Sequence, residues 1–128
     1  LRAVMEGVIY SQRECLDILR GMGVVSSEML ACGGGGSSPF WRQMMADVYG
    51  LPVKTVANKE GPALGAAILA GVGAGVYKSV PEACRQVIHV NPAQPPIGEN
   101  HWQYEKYYEI YRSLYPALKE SFSSLAAL

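Results

Sequence analysis

Residues 33–38 form the segment whose composition and position could best support binding chemistry. Four consecutive glycines there follow a short apolar run, residues 29–32, and precede Pro39, a residue favoured in the first turn of a helix. A glycine run that leaves a strand exposes backbone N–H groups, and the N-terminus of the next helix adds unpaired donors with a partial positive charge. The segment therefore predicts a site that can bind a phosphate without a basic side chain.

Two familiar phosphate-binding signatures do not match this segment. A P-loop has a lysine directly after its last glycine, whereas Ser37 follows Gly36 here. A dinucleotide-binding fingerprint has a third glycine at the position that Pro39 occupies. A flexible turn without a ligand is the alternative interpretation, but the position between an apolar strand and a capped helix favours binding.

The other residues that could carry chemistry are isolated in the sequence. His89 in an apolar strand and His101 at the start of the last helix have no carboxylate or cysteine in register, so structural roles are favoured. Trp41 could flank a base, but a core position is favoured. Glu60 could orient a loop or a ligand, or could be a solvated acid at a helix start. No Ser/His/Asp or Cys/His arrangement stands out, so no catalytic residue is predicted.

The composition limits the chain to one domain or part of one, because 128 residues can build one hydrophobic core. Eleven basic side chains balance eleven acidic ones, so no long-range field attracts nucleic acid or anionic lipid. Cys15, Cys32 and Cys84 form no CxxC pair, which fits neither a disulfide framework nor a zinc site and favours a reducing cytoplasm. The chain begins at Leu1 without a targeting signal, so we expect an excised fragment.

Apolar periodicity and the positions of glycine and proline predict helices that alternate with strands, which is typical of the α/β class. Helices are predicted at residues 1–22, 40–49, 62–77, 80–87 and 101–125, and strands at residues 29–32, 51–56 and 87–90. The first strand and the helix over residues 62–77 are expected to be buried, and the second strand to lie nearer a sheet edge. Ser37 or Ser38 is expected to cap the helix that Gly50 ends.

Residues 61–77 carry no charge, which raises the alternative of a membrane span. The run is at the lower length limit and consists largely of glycine and alanine, so a buried helix in water is favoured. Its small residues could let a ligand or a second glycine loop come close, or could serve tight packing alone. Neither alternative is preferred on the sequence.

Two motifs, in this order, resemble the C-terminal domain of the FGGY carbohydrate kinases. They are CGGGGSSPFWRQMMADV at residues 32–48 and EGPALGAA at residues 60–67. Residues 2–8, RAVMEGV, are similar to the helix that precedes the first motif in the family. The likeness is greatest to the xylulokinase branch and covers nearly the whole chain, although the tail after about Val90 is less diagnostic.

The resemblance implies an actin-like, ribonuclease H-like α/β domain that closes over ATP against an N-terminal domain. Residues 1–128 would be the C-terminal nucleotide-binding portion, with residues 101–125 as its terminal helix. Carried over by position, Gly33 and Gly34 would lie against the nucleotide phosphates, Gly35 would allow the close approach, and Ser38 would lie near the adenosine. The position of Ser37 is often basic in xylulokinases, so backbone donors would have to suffice here.

The function that this resemblance implies is transfer of the γ-phosphate of ATP to D-xylulose, which gives D-xylulose 5-phosphate. The catalytic Asp and most of the Mg²⁺ site are expected outside this segment, which alone is expected to be inactive. Another FGGY kinase, of the glycerol, gluconate or ribulose type, is the nearest alternative, and a non-catalytic actin-like nucleotide-binding module is a second. The implied partners are ATP, the sugar and the N-terminal domain, with a homodimer left open.

Overall fold

The computed structural model describes residues 1–57 and 61–128. These residues form a helix-rich α/β fold with a small parallel sheet. In chain order the elements are α1 (Arg2–Gly21), β1 (Met29–Ala31), α2 (Gly33–Ser37), α3 (Pro39–Tyr49), β2 (Val53–Thr55), α4 (Gly61–Gly73), α5 (Val80–Val87) and α6 (Gly98–Ala126). The α/β class and the alternation of the first strands with helices are therefore confirmed.

The two strands pair in parallel, with Met29 opposite Val53. On the other side of β2, single antiparallel bridges join Val53 to Gln94 and join Val56, the residue after the strand, to Val90. Strand β2 therefore lies between β1 and the segment after α5, and the prediction that β2 lies nearer the edge was wrong. The strand expected at residues 87–90 is likewise reduced to the bridge at Val90. Prolines at residues 92, 95 and 96 remove N–H donors that a longer ladder would need.

The core lies where α1, α3 and α6 pack together. Its buried apolar side chains are Ile9, Tyr10, Leu16, Met44, Met45, Ala46, Val48, Tyr49, Val53, Tyr104 and Tyr108. Three-four spacing places the α1 and α6 members on single faces of their helices. Helix α3 is buried at six consecutive residues, 44–49, because β2, α1 and α6 all pack around its second half.

Two expectations about burial were wrong. Strand β1 was expected to be buried, but Leu30 is 54% exposed. The helix predicted over residues 62–77 ends at Gly73, and Ile68 is its one buried residue among those described. It packs mainly against α5, so much of its surface is left uncovered by the described residues. Among the described residues, no helix is long and apolar enough to cross a bilayer.

Arg13 joins the three core helices through polar contacts. The residue is 8% exposed, and its guanidinium donates to the carbonyl of Val48 on α3 and to Glu105 on α6, the latter at 2.9 Å. It also donates to Asp17, one turn along α1, at 3.1 Å. Burial alone would raise the pKa of Asp17, but hydrogen bonds from Tyr108 and Arg13 outweigh burial and hold that pKa below its ordinary value. The buried charge is thus paired and hydrogen-bonded, as a stable core requires.

We predict a loss of stability at alkaline pH that depends on Tyr49. Its side chain is 5% exposed, and burial raises the pKa of Tyr49 from 10 to about 12. The unfolded chain releases this proton near pH 10 while the folded chain retains it, so the stabilisation is complete below pH 10 and is lost as the pH rises toward 12. At pH 11 the loss is about 1.4 kcal/mol, measurable by urea denaturation at a series of pH values.

The variant Tyr49→Phe is the matched control, because it keeps the ring and removes the titrating hydroxyl. We expect its free energy of unfolding to fall less steeply between pH 9 and pH 11. Tyr10 and Tyr108 also have raised pKa values because they are buried, so part of the alkaline loss persists in the variant. Equal slopes in the two proteins would show that Tyr49 does not contribute.

Candidate functional site

A cavity of about 500 Å³ lies at the carboxyl ends of β1 and β2. Its described lining consists of Ala31, Cys32, Gly33, Gly34, Gly36, Ser37, Arg42, Thr55, Val56, Ala57, Gly61, Pro62 and Asn91. Ligands of α/β sheets bind characteristically in the crevice beyond the carboxyl ends of parallel strands. The volume falls in the range of small-molecule sites, which is roughly 300–1,000 Å³. The predicted glycine segment therefore forms one wall of a cavity large enough for a ligand.

The glycine segment is a short helix, α2, where an open turn was expected. Gly33, with φ +73°, turns the chain from β1 into the helix, and this left-handed conformation favours glycine. Cys32 stands at the N-cap and makes no side-chain cap hydrogen bond. Gly33 and Gly34 line the cavity, and the N–H groups of a first helical turn have no acceptor within their own helix.

Gly36 and Gly35 set how closely α2 packs. A Cβ at Gly36 would lie 2.9 Å from the carbonyl oxygen of Ala31, so only glycine lets the helix pack on the end of β1. A Cβ at Gly35 would lie 3.2 Å from the Trp41 ring, which packs against the core. Gly35 is absent from the described cavity lining, so its predicted role in the close approach of the nucleotide stays a prediction.

Ser38 caps α3. Its hydroxyl oxygen accepts a hydrogen bond from the backbone N–H of Trp41 at 3.4 Å, and Pro39 follows in the first turn. This confirms one of the two caps expected from the sequence. Ser38 is not part of the described cavity lining, whereas its neighbour Ser37 is.

The opposite wall of the cavity comes from residues after β2 and from the start of α4. Asn91, after α5, donates from its amide to the Thr55 hydroxyl at 2.9 Å and so fixes the end of β2. Gly61 and Pro62 belong to the second sequence motif, which was expected behind the site and contributes to its lining. Glu60, the first residue of that motif, lies outside the described residues. Asn91 could not be found from local sequence, because its contact spans 36 positions.

Arg42, on the first turns of α3, is a cavity residue that sequence reasoning missed. Its Nη1 donates to the carbonyl oxygen of Gly36 at 2.7 Å, and the side chain is half-buried. The sequence did carry a signal for Arg42. It lies four residues after the Ser38 cap, so the two residues lie on the same face of the first turns of α3. Arg42 is the charged side chain of the described lining.

The remaining candidates lie away from this cavity. His89 is exposed, and the Nδ1 of His101 contacts the backbone carbonyl oxygen of Asp47 at 2.8 Å. Trp41 is half-buried against the core, in agreement with the preferred interpretation. Across residues 1–57 and 61–128, no three His, Cys, Asp or Glu side chains are grouped to hold a metal ion.

One family model matches residues 1–74, more than half of the chain. It describes the C-terminal domain of the FGGY family of carbohydrate kinases. The chain belongs to this family. The matched residues include the glycine segment, Arg42 and all of α4, so the cavity of this FGGY chain is largely built from family sequence.

Relatives of this FGGY chain are sugar kinases of much greater length. The xylulose kinase of Staphylococcus epidermidis is 36% identical over 127 residues, which are 99% of this chain and 26% of the relative. The structure of ligand-bound xylulose kinase from Lactobacillus acidophilus has a TM-score of 0.87 at 25% identity and covers 97% of this chain and 25% of its own. Gluconate kinase from Lactobacillus acidophilus shares the fold, with a TM-score of 0.84 at 24% identity. The chain thus spans about a quarter of the length of these relatives.

Proposed function

We propose that this FGGY chain is the C-terminal, nucleotide-binding part of an ATP-dependent sugar kinase that converts D-xylulose to D-xylulose 5-phosphate. The observation that carries the proposal is the cavity at the carboxyl ends of β1 and β2, with the N-terminus of the glycine helix in its wall. Membership of a carbohydrate kinase family supports phosphoryl transfer as the reaction. The actin-like fold of the family is part of the same proposal.

ATP would bind with its phosphates against the backbone of α2. Gly33 and Gly34 line the cavity, and their N–H groups are the donors that the first helical turn leaves unpaired. The two residues carry no Cβ, and no atom of residues 1–57 and 61–128 lies within 4 Å of the place where one would project. A phosphate oxygen could therefore approach these amides closely. Ser38 near the adenosine remains part of the proposal, supported by the family motif alone.

The described residues do not fit a complete Mg²⁺ site. Mg²⁺ prefers carboxylate and water oxygens in octahedral geometry, and the described cavity lining contains no carboxylate. In the proposed kinase, Mg²⁺ and the catalytic Asp would be held mainly by other parts of a longer protein. This chain would hold the nucleotide and position its γ-phosphate for the sugar hydroxyl.

D-xylulose is the proposed acceptor because of the 36% identity to a xylulose kinase across nearly the whole chain. The sugar would bind in an N-terminal domain that this segment does not contain, since the relatives are about four times as long. The nearest alternative is that the longer protein is another FGGY kinase, with gluconate, glycerol or ribulose as its acceptor. A non-catalytic nucleotide-binding module is the other alternative.

We predict that the 128-residue chain alone gives no turnover, whereas the longer protein that contains it phosphorylates D-xylulose. In-line transfer needs the sugar hydroxyl and the catalytic base as well as the bound nucleotide, and this chain supplies at most the nucleotide side. The measurement is coupled ADP release with Mg-ATP and each of D-xylulose, ribulose, gluconate and glycerol.

Each result of this assay discriminates between the proposals. If the longer protein prefers gluconate, ribulose or glycerol, the proposed acceptor is wrong but the proposed kinase activity stands. ATP binding without turnover on any sugar would favour the non-catalytic module. Turnover by the 128-residue chain alone would contradict the division of roles, because no catalytic base is assigned here.

A further inference from the structure

The cavity carries a positive charge that the backbone-only mode of phosphate binding does not use. Arg42 lines it, and the other lining residues that the structure describes are uncharged. A guanidinium presents five N–H donors in a planar fork, whose geometry matches the oxygens of a phosphate. One of those donors is engaged, with the Gly36 carbonyl at 2.7 Å.

The contact between Arg42 and Gly36 also changes the charge distribution at the end of α2. The last carbonyl groups of a helix lack intrahelical partners and carry partial negative charge. Left bare, the Gly36 carbonyl would repel an anion in the same cavity. Because Arg42 donates to it, the partial negative charge of this carbonyl is paired with a positive group at the cavity wall.

We infer that Arg42 is a phosphate-binding residue of this site, and that it supplies from α3 the charge that Ser37 does not supply from α2. The inference rests on the proposed nucleotide function and adds to it a specific side chain and the part of the ligand that it recognises. Its guanidinium holds α2 through Gly36 and uses its remaining N–H groups on the phosphate chain of the nucleotide. Arg42 therefore contributes to affinity for ATP and ADP and contributes little to affinity for adenosine.

The test is calorimetric titration of the full-length protein with ATP, ADP and adenosine, for the native sequence and for Arg42→Gln and Arg42→Lys. We expect Arg42→Gln to weaken ATP binding about 10-fold or more, the usual consequence of losing a charged hydrogen-bond donor, and to change adenosine binding less than about 2-fold. Arg42→Lys keeps the positive charge but lacks the planar fork of donors, so its ATP affinity should lie between those of the native protein and Arg42→Gln. Arg112→Gln removes the same charge from an exposed position on α6 outside the cavity lining, and should bind ATP like the native protein.

The outcomes separate this inference from the function on which it rests. Unchanged ATP affinity in Arg42→Gln, with the native protein binding ATP, would overturn the role of Arg42 alone. Equal losses for ATP and adenosine would overturn it too, because they would indicate that Arg42 only supports the shape of the cavity. If Arg42→Gln does not fold, Arg42→Lys takes its place: unchanged ATP affinity, or equal losses for ATP and adenosine, would overturn the role of Arg42. Absence of any adenosine nucleotide binding by the native protein would overturn both proposals.

Discussion

Replacement of Gly36 by alanine is expected to abolish nucleotide binding and to lower the free energy of unfolding by about 2–3 kcal/mol. The added Cβ would lie 2.9 Å from the carbonyl oxygen and 3.0 Å from the carbonyl carbon of Ala31. Both atoms are backbone at the end of β1, which pairs with β2, so they cannot move aside as a flexible side chain would. Helix α2 must therefore shift away from the sheet, and the amides of Gly33 and Gly34 move with it. Urea denaturation and calorimetric titration with ATP measure the two effects.

Gly34→Ala is the matched control for the stability part of this prediction. Its Cβ would meet no atom within 4 Å among the residues that the structure describes, and its φ is not positive, so the same chemical change fits without strain. We expect the free energy of unfolding of this variant to equal or slightly exceed that of the native chain, since alanine is the better helix former. Equal stability of Gly36→Ala and Gly34→Ala would contradict the tight packing of α2 on β1.

Elements whose ends are set by local chemistry were predicted within a few residues. Helix α3 begins after a Ser38 cap with Pro39 in its first turn and ends at Gly50, which has φ +65°. Helix α5 likewise has a Ser79 cap, and its bounds agree with the prediction, Val80–Val87. Caps and left-handed glycines act over three or four residues, so they are visible in the sequence.

Features that depend on distant residues were not predictable in the same way. The order of the sheet depends on residues 88–94, which place bridges on the outer side of β2. The burial of α4 depends on what packs against it, and its apolar composition alone could not decide that. Gly33 and Gly34 line the cavity because α2 follows β1 directly, and their place against the nucleotide phosphates stays a prediction. Arg42 and Asn91 joined the cavity only through contacts made by folding, with Gly36 and Thr55.

The start of α6 shows most clearly how a long-range contact determines an element. The sequence predicted a start at residue 101, whereas the helix begins at Gly98. The Asp47 carboxylate, 2% exposed, accepts hydrogen bonds from the Ile97 backbone N–H at 2.7 Å and from the Asn100 side chain at 2.8 Å. It also accepts from Gln43 at 2.7 Å. A carboxylate at a helix N-terminus binds unpaired N–H groups and interacts favourably with the helix dipole, and here it comes from α3 instead of from the preceding residue.

We therefore predict that Asp47→Ala lowers the free energy of unfolding by about 3–4 kcal/mol, because it removes three hydrogen bonds to a buried, charged acceptor. Asp47→Asn is the matched variant: its carbonyl oxygen can still accept from Ile97, so the cost should be about 1–2 kcal/mol. Urea denaturation gives both values, and hydrogen exchange of the Ile97 amide should accelerate strongly in Asp47→Ala and weakly in Asp47→Asn. Protection at Ile97 that is equal in both variants would show that the cap on α6 arises elsewhere. A larger loss of Ile97 protection in Asp47→Ala than in Asp47→Asn would show that the contact between α3 and the start of α6 depends on this carboxylate. Helix α3 also carries Arg42, so this contact supports the position of that residue.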